Sequence, residues 1–162
     1  MCLLLNKKNI FKFLISLFCV FAIGFIGSVF TSISVSTWYP ELKKPFFTPP
    51  NWIFGPVWGF LYILIGISFY IVWSKSNIKS NKNAFYFFII QLLLNLLWSF
   101  FFFGLKSPIL GLFDIFLLLI FIIFTILEFY KISKISAYLM APYLIWVAFA
   151  SILNFSIFIL NN

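Results

Sequence analysis

Residues 108–130 read PILGLFDIFLLLIFIIFTILEFY, with Asp114 and Glu128 as the only charged side chains in the run. A helix rises about 1.5 Å per residue, so a stretch of this length crosses the roughly 30 Å hydrocarbon core of a bilayer. A soluble chain of 19.0 kDa could not bury a helix that is apolar on every side, because small domains keep too much of their surface exposed. The stretch therefore reads as a membrane span, and it sets the solvent for the rest of the chain.

Four further segments meet the same length criterion, at roughly 11–32, 53–74, 84–103 and 136–160. Their separators carry the expected punctuation: a long polar and aromatic first loop over 33–52, then SKSNIKSNKN, GLKSP and KISKIS. Ser107 followed by Pro108 has the pattern of a helix cap with proline in the first turn. The fold class expected is all-α, one five-helix membrane domain over residues 1–162. Composition agrees: 64% of residues are hydrophobic and 9% charged, whereas soluble domains run near half apolar and about a quarter charged.

The first segment also resembles a signal peptide, with Lys7, Lys8 and Lys12 ahead of an apolar stretch and Ala22 and Gly24 as small residues. The run continues past Gly27 towards Val35, longer than a signal core, which favours a retained helix.

The net charge is +8, carried by lysine without arginine or histidine. These lysines lie in the gaps between apolar runs, where they act as topology and headgroup anchors rather than as a nucleic-acid face. The N-terminal side holds Lys7, Lys8, Lys12, Lys75, Lys79, Lys82, Lys131 and Lys134; the other side holds Lys43, Lys44 and Lys106. In a bacterial cell membrane this asymmetry predicts a cytoplasmic N-terminus. Cys2 and Cys19 have no spacing suited to a disulfide framework or a metal site. With no histidine there is no imidazole base and no zinc triad, and no phosphate-binding or nucleophile-elbow motif occurs.

Polar and indole groups at membrane depth need a reason to be there. Trp58 and Tyr62 are i, i+4 in the second span. Gln91, Asn95 and Trp98 share a face of the third, and Trp146, Ala150, Leu153 and Asn154 a face of the fifth. Such faces suit an aromatic-walled pocket for a flat apolar ligand. They equally suit interhelical hydrogen bonding, and Trp38, Trp52 and Trp73 sit where membrane interfaces collect tryptophan. Asp114 is costly at its depth and serves either helix packing or a transport step. Gly55 and Gly59 form a GxxxG pair, and Gly24 with Ser28 a second small pair, both permitting close helix approach.

WYPELKKPFFTPPNWIFGPVWGFLYILIGISFYIVW over 38–73 is similar to the signature of the TspO/MBR family, also called translocator proteins or peripheral benzodiazepine receptors. NLLWSFFFFGLKSPILGLFDIFLL over 95–118 resembles that family's third-to-fourth helix junction, and APYLIWVAFASILN over 141–154 its fifth helix. The resemblance implies a five-helix fold, commonly a homodimer in contact with membrane lipid, that binds porphyrins such as protoporphyrin IX, or haem, as ligand without requiring a cofactor. Carried across position by position, it implies ligand-binding roles for Tyr39, Pro49, Trp58, Tyr62, Asn95, Trp98, Asp114, Trp146 and Ala150.

On that resemblance a tetrapyrrole would stack among Trp58, Trp98 and Trp146, with Asn95 supplying hydrogen bonds and Lys43 and Lys44 meeting its propionates. The first loop would close as a lid. Some family members degrade bound porphyrin in light, for which the indoles of Trp58 and Trp146 are the catalytic candidates. A transporter of tetrapyrroles or lipids, coupled through Asp114, and a non-catalytic sensor regulating a partner protein are the alternatives. The sequence departs from the animal members after Leu153-Asn154, where FSIFILNN offers neither the tyrosine nor the basic residue of a sterol-recognition pattern. Leu127, Tyr130 and Lys134 fit only its loose form. The third span has few small residues, which gives a dimer packed along it little room to approach.

Overall fold

A computed structural model describes residues 7–76 and 80–162; Cys2 and Lys79 lie outside the described residues. The described residues contain helices and no strand. The elements are α1 (Lys7–Val35), α2 (Asn51–Lys75), α3 (Lys82–Ser99), α4 (Pro108–Ile132) and α5 (Lys134–Leu160). A single 3-10 turn, Tyr39–Glu41, lies in the first loop, and a π-helical segment, Phe100–Gly104, prolongs α3. All five long helices are long and apolar enough to cross a membrane. Counting the π-helical segment with α3, each is a few residues longer than its apolar run, and α1 gains most. Thr31 and Ser32 at its far end turn their hydroxyls to carbonyls of their own helix, so polar side chains there do not end it.

The helices touch in a closed ring, α1 to α2, α2 to α5, α5 to α4, α4 to α3 and α3 back to α1. Inside the ring lie Val20, Leu61, Ile65, Phe88, Leu92, Ile115, Leu118, Ile122, Met140, Tyr143 and Val147. The stacked pair Phe69 and Phe88, 4.1 Å between centroids and 2° from parallel, ties α2 to α3. Large apolar side chains such as Phe18, Phe113 and Ile145 point outward, the surface expected where lipid is the solvent.

Turn chemistry sets the connections. Ser107 accepts a hydrogen bond from the Leu110 amide at 3.4 Å and Pro108 opens α4, as its sequence anticipates. Ser133 alone joins α4 to α5: its amide donates to the Phe129 carbonyl at 2.7 Å, and its hydroxyl accepts from Lys75 at 3.3 Å. Lys12 reaches from α1 to the Trp73 carbonyl at 3.0 Å, placing a cation at the C-terminal, negative end of α2. Glu128 pairs with Lys131 at 2.6 Å near the end of α4, a bridge between groups one turn apart that contributes little stability.

Glycines decide where α1 meets α2. A Cβ on Gly24 would overlap the Tyr62 ring, and one on Gly66 would fall 2.6 Å from the Leu17 side chain, so the helices press together at both levels. Gly55 and Gly59 have nothing within 4 Å of where a Cβ would stand. That pair is not a packing motif within this chain. It borders open space.

Candidate ligand cavity

The open space is a cavity of about 330 Å³ between α1, α2 and the end of α3. Its α2 wall is Phe54, Gly55, Trp58, Gly59 and Tyr62; its α1 wall is Phe21, Gly24, Phe25, Ser28, Thr31 and Val35. Trp98, Ser99 and Phe103 close the third side, and Tyr39 from the first loop completes the lining.

Trp58 and Tyr62 lie one helical turn apart and stack at 5.4 Å with their planes 30° apart. The Tyr62 hydroxyl donates to Asn95 Oδ1 at 3.1 Å, and Asn95 Nδ2 donates to the Tyr143 hydroxyl oxygen at 3.2 Å. Asn95 is thus buried behind the wall as the brace that orients Tyr62. It does not line the cavity. Trp98 stacks on Phe102 at 5.5 Å, and its Nε1 donates to Asn154 Oδ1 at 3.4 Å. Asn154 Nδ2 donates in turn to the Pro108 carbonyl at 2.8 Å, tying α5 to the start of α4.

The π-helical segment explains how Phe102 and Phe103 are both buried although they are adjacent in sequence. Its wider turn, closed by Leu105 N–H to the Phe100 carbonyl at 2.8 Å, rotates Phe103 to the cavity and leaves Phe102 under Trp98. The Ser34 hydroxyl of α1 donates to the Phe103 carbonyl at 2.6 Å and so satisfies an acceptor inside the bundle.

Tyr39 is only 2% exposed, and Lys44 sits 4.4 Å above its ring centroid. Burial pushes the Tyr39 phenol up to about 12, so it is neutral at any physiological pH.

Of the residues expected from the sequence, Tyr39, Trp58, Tyr62 and Trp98 line this cavity. Ala150 instead faces a smaller space of about 30 Å³ shared with Trp98, Phe102 and Asn154. Trp146 lines neither; it packs on Phe54 at 6.1 Å and Phe149 at 5.6 Å, on the far side of the α2 wall. Pro49 also lines neither and lies two residues ahead of α2. Asp114 is 4% exposed on α4, away from both spaces, with no hydrogen-bond partner for Oδ2 among the described residues. The α1 wall was not anticipated. Its one sequence signal is the Gly24 and Ser28 pair, which contributes by small size.

The cavity offers aromatic faces and hydroxyls but no ionised group among its lining residues. Among the described residues no three of His, Cys, Asp and Glu come together as metal ligands. The lining residues place no nucleophile beside a base.

A model of the TspO/MBR family matches residues 15–160. The chain is 53% identical to the tryptophan-rich protein TspO of Archaeoglobus fulgidus over 94% of this chain and 99% of that one. It is 44% identical to a protein of the same name from Chlorobaculum tepidum, over 96% and 99%. It is also 36% identical to the human translocator protein over 82% of this chain and 80% of that one.

Proposed function

The chain belongs to the TspO/MBR family, and from that premise we propose that it is a multi-pass membrane protein that binds a porphyrin in the cavity between α1 and α2. The observation that carries this reading is the stacked Trp58–Tyr62 pair, held in place by Asn95 and facing Trp98 across an apolar space. Aromatic plates with few directional polar groups favour a flat conjugated ligand. At about 330 Å³ the space is at the small end for ligand sites, so the macrocycle enters by one edge and the rest lies in the cleft between α1 and α2. Lys44 at the Tyr39 rim, with Lys43 beside it, stands ready to meet propionates.

Light-dependent breakdown of the bound porphyrin, with dioxygen as oxidant, is the reaction this placement favours; Trp58 and Trp98 are the indoles that line the cavity, and Trp58 is the reactive candidate. Trp146, the other indole candidate, lies behind Phe54. The proposal extends to a bacterial cell membrane with the N-terminus in the cytoplasm, on the lysine asymmetry, and to a homodimer. Transport is the second reading, favoured by the unpartnered Oδ2 of Asp114 deep in α4.

The test is a protoporphyrin IX titration of purified protein in the dark, read by tryptophan fluorescence, followed by absorbance under illumination. Saturable quenching in the micromolar range (about −8 kcal/mol) that weakens in Trp58→Phe supports the site. Quenching that never saturates, or that ignores Trp58→Phe, overturns it. Porphyrin loss under light that is unchanged in Trp58→Phe removes the Trp58 indole from the reaction.

A further inference from the structure

The cavity has no wall towards the bilayer. Phe25 and Phe21 border it yet are 72% and 41% exposed, and Gly55 on the facing helix is exposed as well. The helices touch where Gly24 meets Tyr62 and Leu17 meets Gly66, then part towards the first loop, where Gly55 and Gly59 have no neighbour in front of them. The space is a slot that opens sideways, floored at the Gly24–Tyr62 contact.

Its depth is informative. From Tyr62 to Phe54 the α2 wall rises about 12 Å, and from Gly24 to Val35 the α1 wall rises about 17 Å. Half of a roughly 30 Å hydrocarbon core is about 15 Å. The slot is therefore as deep as one leaflet, the one on the side of the first loop. Its loop-side end lies at Tyr39, and the Lys44 ammonium stands 4.4 Å from that ring's centroid. The α1 hydroxyls make no demand on an occupant, since Ser28 donates to the Phe25 carbonyl at 2.7 Å and Thr31 to the Gly27 carbonyl at 3.2 Å.

We infer that the slot seats one acyl chain of an anionic phospholipid from the loop-side leaflet, with its phosphate at Lys44. An apolar trench of leaflet depth, open to the bilayer and with a cation against the ring at its loop-side end, matches a hydrocarbon chain with a negative headgroup. The seat does not depend on porphyrin binding. If both hold, they share the same walls, and the lipid chain is what a porphyrin displaces.

Photo-crosslinking in vesicles tests this without porphyrin present. The full chain is reconstituted in phosphatidylcholine with a trace of phosphatidylglycerol carrying a diazirine near the end of one acyl chain, and adducts are mapped by mass spectrometry. Adducts at Trp58 and Tyr62 are expected, falling by about tenfold in Gly59→Leu, whose side chain fills several methylenes' worth of the slot. Labelling at Phe113, which is 68% exposed on the outside of α4, stays constant and serves as the internal standard. Gly55→Val repeats the blockade if Gly59→Leu does not fold, judged by its circular dichroism. Lys44→Gln removes the preference for phosphatidylglycerol over an identically labelled phosphatidylcholine. Slot adducts no stronger than the Phe113 standard, or unaffected by either glycine variant, overturn the seat. Equal labelling by both lipids in the unmodified chain overturns the anionic assignment. Because the dark titration is separate, either proposal can fail while the other stands.

Discussion

Asn161 grips the backbone of Lys43 from both sides. Its Oδ1 accepts from the Lys43 amide at 2.9 Å, its Nδ2 donates to the Lys43 carbonyl at 2.9 Å, and Nδ2 also donates to the Ile157 carbonyl at 2.7 Å. A side-chain amide thus imitates one rung of strand pairing and ties the first loop to the end of α5. The loop that carries Tyr39 is latched, not merely resting.

Asn161→Ala is expected to release this latch. Two hydrogen bonds at about 1 kcal/mol each imply a rise in local opening of more than tenfold. Amide hydrogen exchange at Lys43 measures it, and any cavity ligand should dissociate faster while α2 to α5 remain unchanged.

Gly24 and Gly59 should respond in opposite ways although both lie in apolar helices. Gly24→Val forces the Tyr62 ring aside and is expected to cost about 1–3 kcal/mol as overpacking. Gly59→Ala meets nothing within 4 Å and gains helix propensity of up to about 1 kcal/mol, so its stability is equal or higher. Thermal unfolding in one detergent compares them.

Asn95→Leu leaves the hydroxyls of Tyr62 and Tyr143 both without their side-chain partner. An expected loss of about 1–3 kcal/mol exceeds that of Tyr62→Phe, which removes one bond and keeps the other. A double-mutant cycle should find the pair strongly non-additive.

Tyr39 gives a pH signature. Its phenol is raised in the folded protein, from 10.0 to about 12, so the folded state holds its proton more tightly than the unfolded state does. The stability this provides is complete below about 10 and lost as pH rises through about 12. Ultraviolet titration of tyrosinate should contain one late step in that window, absent in Tyr39→Phe.

Ser34→Ala removes the donor to the Phe103 carbonyl. A loss of about 1 kcal/mol is expected, with a change in the Trp98 emission as the π-helical segment loosens. Ser34→Thr, which keeps a hydroxyl, should retain most of both.

The spans were legible because hydrocarbon thickness dictates their length: 108–130 became Pro108–Ile132, and Ser107 capped it as its type suggests. The π-helical segment was not, since four successive phenylalanines carry no periodicity that distinguishes one helix from another. At the cavity, i, i+4 spacing brought out Trp58 with Tyr62, a relation inside one helix. Which helices adjoin is a different matter. Trp146 follows the same spacing logic, but the ring order sets α5 against the back of α2, so its indole meets Phe54. Gly24, Gly55 and Gly59 shape the slot by what they lack, and glycine spacing does not say whether a helix or a void lies opposite.

The ring order has a consequence for the sequence of events during synthesis. Helices emerge in the order of the chain, yet α5 belongs between α2 and α4. Until it arrives, Ser68 lacks the Ser136 carbonyl to which it donates at 2.8 Å, Asn95 lacks Tyr143, and Trp98 lacks Asn154. Without α5 the other four helices make an open arc, so α5 both closes the circle and leads into Asn161, which fastens the loop made long before it.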